Sequence, residues 1–210
     1  TPPIAISTST SRGSPRGSSE RGTQARVSAY RLLQKRIGLT RVVIVQPRNY
    51  QVDNSVTLDA IAQMGKDNAR GVAVVRPDVS DAQLKQLDAG GIRGIRFTVA
   101  DAKTAVVSAD MIEPLAKRIA ALGWHVQLNM PVEDIVANAQ LLARLPTPIV
   151  FDHLGKVPRP DHPAFDFICG LALEGRAWVK VSGAYMNSDI GPPAYPEGTR
   201  VAQAYVKAVP

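Results

Sequence analysis

The stretch Ile149-Val-Phe-Asp-His-Leu-Gly-Lys156 joins a short apolar run to an ionisable tip. Short apolar runs without strict alternation are typical of parallel strands that are covered on both faces. His153 stands where this predicted strand ends and its loop begins. Parallel α/β barrels carry their chemistry at that end of their strands. The stretch therefore predicts a parallel strand that delivers a histidine to a functional site.

The same alternation of apolar strand, polar tip and helix recurs along the chain. Strands are predicted at residues 42–46, 71–75, 94–97, 125–129, 149–152 and 178–181. Helices are predicted at residues 28–36, 55–66, 81–89, 109–122, 132–145, 163–173 and 201–209. This order indicates right-handed βαβ units around a parallel sheet, either open and doubly wound or part of a closed barrel. A dinucleotide-binding fold is disfavoured because no Gly-x-Gly-x-x-Gly motif follows the first predicted strand.

Length and composition favour one globular domain over residues 27–210. The chain has 210 residues, 45% hydrophobic and 20% charged, whereas a complete eight-stranded barrel typically needs about 250 residues. The single Cys169 excludes an internal disulfide and suits a reducing cytoplasm. No apolar run reaches the roughly 18 residues that a membrane span requires, and no signal peptide is evident. We therefore expect a cytoplasmic protein without a membrane partner.

Residues 1–26 differ in composition from the rest of the chain. They are rich in Ser, Thr, Arg, Gly and Pro and have almost no large apolar side chains, which predicts disorder. The net charge of +7 has its densest cluster of arginines here, and the remaining charge is spread along the predicted helices. Without aromatic interleaving or a recognisable motif, this pattern indicates solvated surfaces and no nucleic-acid partner.

The polar residues at the predicted strand ends are the candidate site residues. His153 can act as a general acid, a general base or a metal ligand, or it can simply hydrogen-bond a loop. Arg96 lies inside an apolar strand and needs a partner, either a substrate carboxylate or an internal ion pair with Asp152 or Asp101. No histidine pair has metal-ligand spacing, so no metal ligands are assigned. The full set of polar strand ends is Gln46, Arg76, Arg96, Gln127 or Asn129, His153 and Ser182.

Several of these motifs, taken in order, resemble the amidohydrolase superfamily of TIM-barrel metal-dependent hydrolases. The resemblance is strongest to the 2-pyrone-4,6-dicarboxylate lactonase-like branch and covers about residues 28–186. The motifs are Val43-Ile-Val-Gln-Pro47 with Tyr50 and Asp53-Asn54, Gly71-Val-Ala-Val-Val75, Gly91-Ile-Arg-Gly-Ile-Arg-Phe97, Phe151-Asp-His-Leu-Gly-Lys156 and Val179-Lys-Val-Ser-Gly183.

The resemblance implies a catalytic role for His153 and a substrate-carboxylate contact for Arg96. In such enzymes a water molecule attacks a lactone or related carbonyl, an aspartate after the eighth strand serves as base, and histidines or a divalent metal such as zinc polarise the carbonyl. Not every member of the branch needs a metal, so the cofactor is left unassigned. The further residues that the resemblance places in substrate binding are Gln46, Tyr50, Gln127, Ser182 and Tyr185.

Two departures from the family pattern affect this expectation. The family begins with a strand that ends in His-x-His and closes with a strand that ends in the aspartate base, and the sequence shows neither. Asp189 lies in a predicted loop and is not assigned as that base. One hypothesis is that residues 1–26 are a frameshifted first strand, because codons for Ser7-Thr-Ser-Thr10 and Arg12-Gly-Ser-Pro15 can encode His-x-His and Arg-Phe-Pro in another frame. A natural disordered tail is the alternative.

The sequence thus predicts an α/β fold, an incomplete (β/α)8 TIM barrel of about six parallel strands behind a disordered N-terminal segment. The predicted function is hydrolysis of a lactone or related ester of a carboxylated aromatic-breakdown product, with that small molecule as partner. Two other interpretations stay open: a non-catalytic fragment of such a barrel, and a TIM-barrel lyase. Two unpaired sheet edges also predict self-association into a homo-oligomer.

Overall fold

The computed structural model describes residues 27–99, 105–186 and 188–210, together with the backbone of residues 4–6. The chain folds as two compact units, Thr1–Ala73 with Asp81–Ile92, and Val74–Ser80 with Arg93–Pro210. The second unit contains His153 and Arg96, two of the predicted site residues.

The first unit is a set of parallel strands with helices between them. Its strands are β1 (Ile4–Ile6), β2 (Val42–Val45) and β3 (Ala69–Ala73), and its helices are α1 (Val27–Ile37), α2 (Ser55–Met64) and α3 (Asp81–Ala89). Gly71 allows the close packing of β3, because a Cβ atom there would lie 2.7 Å from Ile61 Cδ1 and 2.6 Å from Ile92 Cδ1. A glycine is therefore required where two buried isoleucines reach the strand.

The second unit has four parallel strands and carries the candidate site. The strands are β4 (Ile92–Thr98, of which only the first residue belongs to the first unit), β5 (His125–Asn129), β6 (Ile149–Phe151) and β7 (Ala177–Val179). The helices are α4 (Ile112–Ala120), α5 (Val132–Ala137), α6 (Ala139–Ala143), α7 (Pro163–Leu173) and α8 (Pro196–Ala208). Arg96 pairs in register with Gln127. Apolar side chains that alternate with these polar residues, such as Phe97 and Leu128, are buried. This alternation leaves the polar side chains together on the opposite face of the strands.

The predicted α/β fold with parallel strands is confirmed. All six predicted strands are present, with ends that shift by a few residues, and every described pairing is parallel. The helix predicted at residues 132–145 is instead two helices that meet at Asn138, whose side-chain Nδ2 donates to the Asp134 carbonyl at 2.8 Å. The helix predicted from residue 109 begins with a short 3-10 turn, so that Pro114 falls in the first turn of α4, where a proline is tolerated.

The N-terminal segment departs from the expectation of disorder at one place. Ile4–Ile6, an apolar triplet in a polar stretch, pairs in parallel with Val42, Val43 and Ile44. Residues 1–3 and 7–26 lie outside the described part of the chain, and with them the proposed frameshifted segment. Asp101, one of the two alternative partners of Arg96, also lies outside it. No described helix is both long and apolar enough to cross a membrane.

Candidate active site

A buried carboxylate, Asp152, is the centre of the site. It follows β6 directly and its side chain has no solvent exposure. One oxygen, Oδ2, accepts a hydrogen bond from Arg96 Nε at 2.8 Å, and the other, Oδ1, lies 2.6 Å from Lys180 Nζ. Gln127 Nε2 donates to both oxygens, at 2.9 and 3.0 Å. Neighbouring parallel strands thus bring four polar side chains together.

This cluster has more positive than negative charge. Arg96 and Lys180 are both largely buried, with side chains 6% and 11% exposed, and they share one carboxylate. Apart from that ion pair, Lys180 Nζ has no hydrogen-bond acceptor among the described residues. Burying an uncompensated charge is costly, so the cluster is suited to an anionic group that enters from outside.

His153 starts a short left-handed turn beside this cluster. Four successive residues, His153 to Lys156, have positive φ angles of 53°, 59°, 63° and 52°. The turn is held at its backbone, where Leu154 N–H donates to the Lys180 carbonyl at 3.0 Å. Buried Tyr205 contributes a weaker contact, with its hydroxyl 3.4 Å from the Leu154 carbonyl. The imidazole is therefore presented by a strained but supported turn.

The environment of His153 favours the neutral form of its imidazole. Burial lowers the pKa of His153 most, the Asp152 carboxylate opposes this, and the cations Lys180, Arg96 and Lys156 lower it further. Burial and nearby Arg96 also lower the pKa of Lys156. A neutral imidazole has one nitrogen that donates and one that accepts a hydrogen bond. Its Nδ1 lies 3.1 Å from Ser182 Oγ.

Most of the predicted site residues lie in the second unit, and the others lie in the first. Arg96, Gln127, His153 and Ser182 all lie in the second unit, and the ion pair of Arg96 with Asp152 is the internal pairing that the sequence left open. Only Nε of Arg96 takes part in that contact, and its terminal nitrogens have no partner among the described residues. Tyr185 follows β7 in a 3-10 turn, with 57% of its surface exposed.

Gln46 and Tyr50 lie in the first unit. The amide of Gln46 is fully used by its own loop, since Nε2 donates to the carbonyls of Asp53 at 2.6 Å and Gln51 at 3.3 Å. Its Oε1 accepts from Thr57 Oγ1 at 2.5 Å. Tyr50 is 40% exposed. A structural role in shaping the loop after β2 therefore accounts for the burial of Gln46.

Sequence reasoning missed Lys180 and Lys156 as site residues. Lys180 lies in an apolar stretch. The register between β6 and β7 determines which residues the Lys180 side chain contacts, and the sequence does not show that register. Asn129, which the sequence left as an alternative to Gln127, has a buried Oδ1 without a hydrogen-bond partner among the described residues. Such an acceptor at a strand end is suited to a ligand hydroxyl or a water molecule.

The donor set around His153 does not fit a metal ion. Both oxygens of Asp152 are occupied by Arg96, Lys180 and Gln127, and two of these partners are cations. The described residues contain no group of three or more His, Cys, Asp or Glu side chains arranged to hold a metal. Asp152 is therefore unsuited to hold a metal at this cluster.

Comparisons with known proteins identify a family. Residues 13–206 match the sequence model of the family described as amidohydrolase. The chain is 38% identical over 166 residues to a 2-pyrone-4,6-dicarboxylate hydrolase of Comamonas testosteroni, covering 77% of this chain and 54% of that protein. It is 30% identical over 187 residues to a 4-sulfomuconolactone hydrolase of Hydrogenophaga intermedia, covering 86% and 60%. The chain thus spans little more than half the length of these curated relatives.

A solved structure has a similar fold. It is a probable 2-pyrone-4,6-dicarboxylic acid hydrolase of Acinetobacter baumannii with citric acid bound, and it superposes with a TM-score of 0.73 at 25% identity. The match covers 98% of this chain and 76% of that one.

Proposed function

The chain belongs to the amidohydrolase family, and from this premise we propose that it hydrolyses a lactone or related ester carrying one or more carboxylates. The observation that carries the proposal is the buried excess of positive charge beside His153. Arg96 and Lys180 share the single carboxylate of Asp152, so one more anion is needed to balance the cluster. The hydrolase names of the relatives from Comamonas and Hydrogenophaga support the reaction type.

The chemistry assigns separate tasks to these residues. A substrate carboxylate binds to the terminal nitrogens of Arg96, with Lys180 and Lys156 adding positive potential. His153 hydrogen-bonds the ester carbonyl, which makes its carbon more electrophilic. Water then adds to that carbon, the ring C–O bond breaks, the departing ring oxygen takes up the proton that the water loses, and a ring-opened acid is released. The proton of the attacking water needs an acceptor other than Asp152, because both oxygens of that carboxylate are occupied.

The test is ring opening of 2-pyrone-4,6-dicarboxylate by the purified chain. We expect loss of the pyrone absorbance and a product heavier by one water. Arg96→Met should weaken binding about 10- to 100-fold, because a charge-assisted contact contributes roughly 1.5–3 kcal/mol. His153→Ala should lower the rate by about 100-fold or more. Lys117→Met is the matched control, since this lysine is 65% exposed and forms a surface ion pair with Glu113.

Other results of this assay would favour one of the two remaining interpretations, the non-catalytic fragment or the lyase. A folded chain that leaves the pyrone intact overturns the proposal and favours a non-catalytic fragment. Release of a second carbon-containing product, in place of a single ring-opened acid, favours a lyase. Folding of each variant is checked by circular dichroism, so that loss of structure is not mistaken for loss of chemistry.

A further inference from the structure

The imidazole of His153 is held between two consecutive residues of the loop after β7. Its Nδ1 lies 3.1 Å from Ser182 Oγ. At the next residue, Gly183, a Cβ atom would lie 2.7 Å from the same Nδ1 and 3.0 Å from Cγ of the ring. No side chain fits at Gly183 while the ring stays in place, and the φ of +69° there also favours glycine. The ring therefore rests against the backbone of Gly183.

The serine and the histidine are fixed relative to one another by a shared backbone acceptor. The carbonyl of Lys180 accepts from Ser182 N–H at 2.9 Å and from Leu154 N–H at 3.0 Å. The turn that carries His153 and the loop that carries Ser182 are thus tied at one oxygen. Because a serine hydroxyl can either donate to Nδ1 or accept from it, the direction of this hydrogen bond corresponds to one of the two neutral forms of the imidazole.

We propose that Ser182 is a positioning residue that donates its hydroxyl hydrogen to Nδ1 of His153 and so keeps the imidazole hydrogen on Nε2. Two observations favour this direction. Nδ1 of His153 is the only acceptor that Ser182 Oγ meets among the described residues, and Nε2 of the ring has no hydrogen-bond partner there. Burial and three nearby cations lower the pKa of His153, which favours the neutral ring.

The consequence is a histidine that presents a donor to its ligand. An Nε2–H group can hydrogen-bond a carbonyl oxygen and stabilise the negative charge that develops on it. This catalytic meaning rests on the proposed hydrolase function, whereas the hydrogen position itself does not. Ser182 would then act through His153, in contrast to the substrate contact that the family resemblance implied for it.

The experiment measures directly which nitrogen of the His153 ring carries the hydrogen. The chain has three histidines, so long-range proton–nitrogen correlation spectra of ¹⁵N-histidine-labelled protein contain three ring systems, and His153→Asn assigns one of them. At a pH where the imidazoles are neutral, we expect a protonated Nε2 and an unprotonated Nδ1 for His153. Ser182→Ala should move the two nitrogen shifts towards each other as the second form becomes populated. Ser182→Thr, which keeps the hydroxyl, should retain the wild-type pattern.

Two further variants separate positioning from general disruption. Gly183→Ala keeps the serine but displaces the ring, and should also lose the pattern. Ser188→Ala removes a hydroxyl that instead hydrogen-bonds Glu197, and should leave it intact. The signals of His125 and His162 report folding in every sample. A protonated Nδ1 in the wild type, or an unchanged pattern in Ser182→Ala, overturns the proposal. No substrate is present, so failure of the lactone assay does not affect this result.

Discussion

At the scale of single residues, Asp152 is the group on which the others depend. Its carboxylate has no solvent exposure and contacts Arg96, Lys180 and Gln127. The two cations lower the pKa of Asp152 against the opposing effect of burial. A buried ion pair contributes little net stability, but removing one partner leaves the remaining charges buried and unpaired. Asp152 is therefore a structural support of the charged cluster and is not available to accept a proton.

Replacing Asp152 by Asn tests this dependence. The change keeps the volume but leaves Arg96 and Lys180 without an anion, so we expect a loss of about 3–5 kcal/mol in the free energy of unfolding. Urea denaturation followed by circular dichroism measures it. Asp161→Asn is the control, because Asp161 is 74% exposed and pairs with exposed Arg159, and such pairs contribute little. Equal stabilities of the two variants would contradict the role given to Asp152.

The burial of His125 predicts that the free energy of unfolding depends on pH. Burial lowers its pKa to about 4, although hydrogen bonds to Arg93 and Gln127 and the charge of Asp152 oppose the shift. In the unfolded chain the imidazole has a pKa of roughly 6.5, so on acidification the unfolded state takes up this proton first. The contribution of His125 is therefore complete above about pH 6.5 and is lost as the pH falls to about 4, by up to roughly 3 kcal/mol.

The measurement is the slope of unfolding free energy against pH. His125→Gln should flatten the slope between those two pH values, whatever its effect on absolute stability. His162→Gln serves as the comparison, because His162 lies at the start of α7, where its Nδ1 accepts from Ala164 N–H at 3.2 Å. A slope that His125→Gln leaves unchanged would show that this histidine is not buried as a neutral group.

Some of these candidate site residues could be recognised from the sequence, and others could not. His153 and Arg96 were predictable because an ionisable group in or after an apolar strand needs a special partner. The sequence left three partners open for Arg96, namely a substrate carboxylate, Asp152 and Asp101, and the structure shows the ion pair with Asp152. Lys180 was not recognised, since a lysine in a strand can equally well point to solvent. Its contact with Asp152 depends on how β6 and β7 pair, and pairing register is a tertiary property.

At the scale of elements, the turn from His153 to Lys156 is the least predictable feature of the second unit. Only one of its four positive-φ residues is a glycine, and other residues adopt this conformation at a cost of about 1–2 kcal/mol each. Tertiary contacts offset that cost, including those of Leu154 with the Lys180 backbone and with Tyr205. Strands and helices were predictable because periodicity is local. This turn was not, because its support comes from distant segments.

Gly155 allows a quantitative test of that turn. A Cβ atom there would lie 2.6 Å from Cδ1 of fully buried Ile168, at a φ of +63°. Gly175 has a similar φ of +70° but nothing within 4 Å of the added Cβ. Gly175→Ala should therefore cost about 1–2 kcal/mol from backbone conformation alone. Gly155→Ala should cost about 1–3 kcal/mol more, because it also crowds the core. Urea denaturation compares the two, and equal losses would show that Ile168 yields freely.

At the scale of the whole molecule, β7 determines how the second unit meets its surroundings. It pairs with β6 on one side and has no strand partner on its other side among the described residues. The side chains of Trp178 and Val181 are 54% and 62% exposed, and nearby Leu173 is 65% exposed. Lys180, the one charged residue of this stretch, is turned inward to Asp152. The edge thus lacks the outward charges with which natural sheets prevent edge-to-edge pairing.

We therefore expect the purified chain to self-associate through the β7 edge. Sedimentation velocity should show a weight-average mass that rises with protein concentration. Trp178→Lys places a charge on the exposed edge and should shift the distribution towards monomer. Val206→Lys adds the same charge on α8, where Val206 is 67% exposed, and should leave association unchanged if the contact is through the strand. A chain that stays monomeric at all concentrations would contradict the proposed edge pairing, and an equal response to both variants would indicate a general effect of net charge instead.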